Sequence, residues 1–226
     1  MSSPKFSNDV LEFFKRLEKN NDRDWFNAHK IEYKSYEALA KEVFKYISDS
    51  LNKQDLIDTF KVLRIYRDVR FSKNKLPYKV HISGSFHRKK PELRGGYYLH
   101  IQPGNKSFLG VGFWDPNKED LLRLRREFEQ DDHDIRAIID HTSFKSIWGE
   151  LEGDELKTAP RDFDKEHPAI DLIRKKQYVF TKHFNDKEVL EHNFADNVIL
   201  AFQAIRPFFD YMSDVLTTNV NGESTI

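Results

Sequence analysis

Apolar positions recur three and four residues apart through the first fifty residues. Val10, Leu11, Phe13, Phe14 and Leu17 fall on one side of a helical wheel, with Ser7 placed to cap it. Asn20-Asn21-Asp22 interrupts the pattern. Asp22 or Asp24 then starts a second helix with Trp25, Phe26 and Ile31 on one side. A longer stripe follows, Tyr33, Tyr36, Leu39, Ala40, Val43, Phe44, Ile47 and Leu51, and predicts a long amphipathic helix. The period then changes to two. Residues 62–71, 79–86, 96–102 and 107–114 alternate like strands, and Pro103-Gly104-Asn105 turns the last two into a hairpin. Asp115-Pro116 ends this stretch and opens a helix through Leu121, Leu122, Leu124 and Phe128, with a further helical piece over 135–139.

Residues 142–168 are punctuated by Gly149, Gly153, Pro160 and Pro168 and suit a small hairpin at Glu152-Gly153. Pro168 opens a short helix over 169–175, and 178–184 reads as an edge strand. A C-terminal helix from Asp186 or Asp196 carries Val198, Ile199, Phe202, Ile205, Phe208, Phe209 and Met212 inward, kinked or broken at Pro207. The class that follows is α+β: an antiparallel sheet of about four to six strands, built from 62–114 plus smaller later strands and packed by N- and C-terminal helices. One domain is expected over 1–216, with 217–226 a polar, disordered tail.

Strand parity sorts the sheet into two faces. One carries Ile65, Val69, Phe71, Val80, Ile82, Tyr97, Leu99, Ile101, Leu109, Val111 and Phe113, a core. The other carries Arg64, Tyr66, Asp68, Arg70, His81, Ser83, Ser85, Tyr98, His100, Gln102, Gly110, Gly112 and Trp114. Antiparallel sheets often keep one wet face, but wet faces favour Lys, Glu and Thr, whereas Arg, His, Tyr and Trp are residues of binding surfaces. Arg67 falls by parity on the apolar face, so either a bulge resets the register or a carboxylate pairs with it.

The chain has 226 residues, 37 basic against 37 acidic, and no cysteine. Thiol catalysis, disulfides and cysteine-based metal sites are therefore excluded. The balanced charge argues against a dedicated nucleic-acid binder or a membrane-surface protein. The N-terminal segment does not pattern as a signal peptide, and no stretch reaches the length of an apolar span. A soluble, cytoplasmic protein is expected.

Charge is nevertheless focused. Residues 61–80 hold seven Lys or Arg and one acid, Asp68. Lys73, Lys75 and Lys79 beside Ser72 and Pro77 suit a phosphate or sulfate, although the spacing is not that of a P-loop. A second dense segment, 156–168, adds Lys157 and Arg161 as further anion contacts, and Asp164 with His167 as an acid–base pair or metal ligands. Equally, Asp164 and His167 suit simple backbone capping. His81, His87, His100 and His167 lack metal-ligand spacing, so no metal site and no cofactor is assigned.

Six segments resemble the family "domain of unknown function 2461". They are Asn20-Asn21-Asp22-Arg23-Asp24-Trp25-Phe26 with His29-Lys30; residues 64–79; Tyr97-Tyr98-Leu99-His100-Ile101-Gln102-Pro103-Gly104; Gly110-Val111-Gly112-Phe113-Trp114 with Pro116; Leu124-Arg125; and residues 156–168. They cover almost the whole chain in order. The resemblance implies one soluble α+β domain and no particular activity. The chain departs from the family pattern at Asn74, where Asp is favoured, and at Asp162, where Gly is favoured.

These residues predict a basic, aromatic pocket for a small anionic, phosphorylated ligand. Arg64, Asp68, Arg70, Lys73, Lys75, Lys79, Tyr98, Trp114 and Arg161 would contact it, and His100 or His167 would be the general acid–base group if the protein is an enzyme. The alternatives are a single-stranded nucleic-acid module, with Tyr66, Tyr98 and Trp114 stacking on bases, and a non-enzymatic interaction domain.

Overall fold

A computed structural model of the chain describes residues 3–219 and 221–226. The fold is α+β. Three helices open it, α1 (Asn8–Lys19), α2 (Arg23–Ala28) and α3 (Lys30–Leu51), followed by strands β1 (Ile57–Val62), β2 (Ile82–Arg88), β3 (Gly96–Ile101) and β4 (Ser107–Phe113). Helices α4 (Lys118–Gln130), α5 (His133–Ile139), α6 (Thr142–Trp148) and α7 (Ile170–Ile173) come next. Strand β5 (Tyr178–Phe184) precedes α8 (Asp186–Val189), α9 (Phe194–Ala204) and α10 (Arg206–Thr217). The strands form one antiparallel sheet in the order β1-β2-β3-β4-β5, so β5 is an edge strand as its sequence suggests. Among the described residues no helix is long and apolar enough to cross a membrane.

The chain packs as two compact units, one of Met1–Phe86, Tyr98–Leu109 and His183–Leu200, the other of His87–Tyr97, Gly110–Lys182 and Ala201–Ile226. In the first, α1 and α3 bury the stripes their spacing predicts, including Val10, Phe13, Phe14, Leu17, Tyr33, Val43, Phe44 and Ile47. Asp22 caps α2 by accepting from the Trp25 N–H at 2.9 Å. Phe44 of α3 stacks on Phe86 of β2, with ring centroids 5.5 Å apart. Between them Gly84 leaves the room that the Phe44 ring and the Lys61 carbonyl occupy, where a Cβ would collide with both. This fixes which face of β2 looks at α3.

In the second unit, Tyr97 packs on Phe202 and Phe209, and Phe113 on Phe208 and Phe209. Arg88 is fully buried there, donating to the Arg94 carbonyl, the Ser213 hydroxyl and Asp210. Pro207 sits in the first turn of α10, after the break at Ile205, which satisfies its missing N–H and its fixed φ. Thr217 and Asn219 bond back to Thr225 and Glu223, so the C-terminal tail turns on itself.

Two expectations are corrected. The segment 62–71 is not a strand. β1 lies earlier, at Ile57–Val62, and residues 63–81 form a long irregular excursion before β2. Its alternation has no buried face behind it: Ile65 is buried, but Phe71 is 96% exposed. The small hairpin at Glu152-Gly153 is replaced by bridges from Glu152 to Val179 and from Glu155 to Lys175.

Candidate functional site

The excursion is pinched at its base. Tyr66 and Tyr78 form an antiparallel bridge, Arg67 N–H donates to the Pro77 carbonyl at 2.9 Å, and Lys79 N–H donates to the Ile65 carbonyl at 2.8 Å. Asn21 clamps the same point. Its side-chain amide donates to the Tyr78 carbonyl at 3.0 Å, and its side-chain carbonyl accepts from the Tyr78 N–H at 3.1 Å. A single side chain thus stands in for a neighbouring strand. Phe26 stacks on Tyr78 from the same side, with centroids 4.0 Å apart.

Within the loop so closed, Asp68 accepts from Arg70 Nε and Nη2 at 3.0 and 2.7 Å. The adjacent Arg70 guanidinium holds the exposed Asp68 carboxyl below its usual range. Lys75 Nζ caps the Val69 carbonyl at 2.9 Å. Asn74 accepts from the Leu76 N–H at 3.0 Å, an Asx turn that Asp would make equally well. Arg64, Arg67 and Lys73 make no ion pair or side-chain hydrogen bond among the described residues; Arg67 is half-buried without the carboxylate expected for it.

Beyond Tyr78 the chain enters β2, and Lys79, His81 and Ser83 come at alternate positions. The cross-strand neighbours are on β3. The His81 and His100 rings lie 4.0 Å apart. His100, 7% exposed, has both nitrogens engaged: Nδ1 lies 3.1 Å from the Tyr98 hydroxyl and Nε2 lies 2.8 Å from Gln102 Oε1. The Gln102 oxygen only accepts, so Nε2 carries the proton and the Tyr98 hydroxyl donates to Nδ1. Phe108 of β4 stacks on His100 at 4.7 Å, and His183 of β5 lies 5.9 Å from Phe108.

This surrounding disfavours protons. Burial, with help from His100 and Lys79, pushes the His81 pKa down to about 3. Burial also lowers His100, against the opposing hydrogen bond that its Nε2 donates to Gln102. Both imidazoles are neutral at pH 7. Burial, together with the Arg64 charge, lowers the Lys79 pKa as well. Burial raises that of Tyr98, opposed by the nearby Ser83 hydroxyl, which stops short of hydrogen-bond geometry.

One contrast divides these groups. Tyr98, His100 and Gln102 satisfy one another. The Lys79 ammonium, the His81 nitrogens and the fully buried Ser83 hydroxyl have no hydrogen-bond partner among the described residues. Buried polar groups are ordinarily paired; the Ser83 Oγ on β2 is buried without a partner, while Lys79 and His81, at alternate positions just before the strand, are half-buried and keep contact with solvent. The row offers a cation, an imidazole able to donate or accept, and a hydroxyl. Among the described residues no three His, Asp or Glu side chains are arranged to hold a metal ion.

Of the residues singled out from sequence, Arg64, Asp68, Arg70, Lys73, Lys75, Lys79, Tyr98 and His100 belong to this first unit, while Trp114, Arg161 and His167 belong to the second. Trp114 is exposed just past β4. Arg161 is exposed beside Asp162 at 3.8 Å. Asp162 has φ +68°, the left-handed conformation that glycine adopts freely. His167 Nδ1 accepts from the Ala169 N–H at 3.1 Å, and Asp164 accepts from the Glu166 N–H at 3.0 Å. Both are bonded to backbone. Sequence reasoning puts His81 and Ser83 on the polar face but passes over them as site residues, because parity assigns a face and not the state of a side chain's hydrogen bonds. Asn21 gives no signal beyond its place in a turn.

The sequence model of a family described as "Conserved hypothetical protein (DUF2461)" matches residues 9–211. No curated protein and no solved structure matches the chain.

Proposed function

The chain belongs to the DUF2461 family, and from that premise and the geometry of the first unit we propose that it binds a small anionic ligand, most simply a phosphorylated one, against Lys79, His81 and Ser83. The observation that carries this reading is the unpartnered row itself. The lowered Lys79 pKa supports it, since it reflects an ammonium held partly out of water beside a second cation. An anion placed there restores the missing interactions: charge-assisted hydrogen bonds from Lys79 and Arg64, and a donor from Ser83. His81, neutral and with free nitrogens, is the group placed to exchange a proton with the ligand. His100, saturated by Tyr98 and Gln102, fixes the ring against which His81 rests, a positioning role in place of the acid–base role expected from sequence. A cytoplasmic setting belongs to the same reading.

The test is a thermal-shift panel of phosphate, sulfate, sugar phosphates and nucleotides on the wild-type chain, since a ligand that binds only the folded state raises Tm by mass action. A selective rise that Lys79→Ala and Ser83→Ala each abolish supports the reading. A flat panel, or a rise that both variants retain, removes it.

A further inference from the structure

The tip of the excursion presents a second chemistry, separate from the unpartnered row. Residues 64–79 carry six Lys or Arg, and their one acid, Asp68, is already engaged by Arg70. Arg64, Arg67 and Lys73 have no ion pair among the described residues. Among these charges stand apolar groups that the fold leaves in water: Phe71 is 96% exposed, Tyr66 47% and Leu76 45%. Phe71's one ring neighbour among the described residues is the Arg70 guanidinium, 6.0 Å from its centroid. Beside the loop lies a groove of about 660 Å³ whose lining includes Arg23, Lys73, Lys75, Leu76 and Pro77. Arg23, like Lys73, makes no ion pair there among the described residues.

We propose that this loop and groove dock single-stranded nucleic acid. Phosphates would lie along Arg23, Arg67 and Lys73, with one base stacked on the free face of Phe71. Every base has a π-face, so an exposed ring among unpaired cations is a sequence-tolerant platform for a single strand, while a duplex keeps its bases stacked away from such a ring. An exposed aromatic alone suits many partners; the excess of unpaired positive charge around it selects a polyanion.

The test is fluorescence anisotropy of the full chain with labelled 12-nucleotide oligouridylate and oligodeoxythymidylate, titrated at several salt concentrations. The expected result is binding that weakens steeply with salt and exceeds that of a duplex of the same length. Phe71→Ala should weaken it about tenfold or more with the salt slope unchanged. Arg67→Ala with Lys73→Ala should reduce the slope by about 1.4, roughly 0.7 for each phosphate no longer neutralised. Phe71 is so exposed that its truncation leaves the fold intact, so a negative result is informative. Salt-insensitive or absent binding overturns the proposal, as does equal binding of duplex or unchanged affinity in Phe71→Ala. Capture by anionic lipid vesicles with no oligonucleotide binding also overturns it, reassigning the loop to a membrane surface. Lys79→Ala separates this proposal from the small-anion reading: it should abolish the thermal shift by phosphate and leave the Phe71-dependent component of oligonucleotide binding in place.

Discussion

Lowering the pH from 7 to 4.5 should destabilise the protein through His81, and the effect can be sized. The unfolded imidazole takes up its proton near pH 6.5, the folded one only near pH 3. Between those values the unfolded state binds one more proton, so stability falls as pH falls, beginning near 6.5 and continuing until the folded side chain itself titrates. At pH 4.5 a single group shifted this far would cost roughly 2–3 kcal/mol. His81 keeps partial contact with solvent, which reduces the expectation to about 1–2 kcal/mol. His100 is shifted in the same direction and adds to the slope. The carboxylates with lowered pKa values, Glu37, Asp68 and Asp171, begin to lose their stabilisation as pH nears their ordinary range, but that loss is common to wild type and His81→Gln and cancels in the comparison. The assay is urea unfolding followed by tryptophan fluorescence at pH 7.0, 5.5 and 4.5, on wild type and His81→Gln. The variant should lose less stability over that range by about 1–2 kcal/mol. A bound phosphate would bring a negative charge to the imidazole, raise its pKa and flatten the wild-type slope. An NMR titration in which His81 moves near pH 6.5, or identical slopes in the two proteins, would refute both the burial argument and the electrostatics of the proposed site.

Two further outcomes concern how the site is held. Asn21→Ala removes both bonds to the buried Tyr78 main chain and leaves its N–H and C=O short of partners, so it should cost about 2–4 kcal/mol in urea unfolding. Asn21→Asp should recover little of this, because an acceptor would then face the Tyr78 carbonyl. Gly84→Ala should cost about 1–3 kcal/mol in the same assay, since the added methyl meets the Phe44 ring and the Lys61 carbonyl.

Most helices and β2 to β5 were legible because each has a buried side that imposes its period on the sequence; α6, a two-turn helix with only Phe144 and Trp148 buried, was not read. The α1 stripe at Val10, Leu11, Phe13, Phe14 and Leu17 is buried position for position. β1 was missed because at an edge only Ile57 is buried, and its apolar residues Ile57, Phe60 and Val62 do not alternate with a period of two. The segment 62–71 misled for the complementary reason. Arg64, Tyr66, Asp68 and Arg70 alternate with Ile65, Val69 and Phe71 as a strand would, Arg67 alone out of step, but the polarity there follows the demands of a solvent-facing loop. Cations beside an aromatic at 96% exposure produce the same letters as a half-buried sheet.

The polar face shows a second limit of the same kind. Tyr98, His100 and Gln102 read from sequence as chemistry, and so do Lys79, His81 and Ser83; composition and parity treat the two sets alike. Their difference lies in hydrogen-bond saturation, which depends on distances across strands. A chain in which Tyr98 donates to His100 and His100 donates to Gln102 has used its functional-looking groups to order the sheet. A chain that buries the Ser83 hydroxyl without a partner, beside a half-buried imidazole and ammonium whose pKa values burial lowers, carries a cost at that hydroxyl in the empty state. That cost is recovered only when a complementary group enters. The unsatisfied row, more than the richer-looking histidine cluster beside it, is therefore where a ligand gains most.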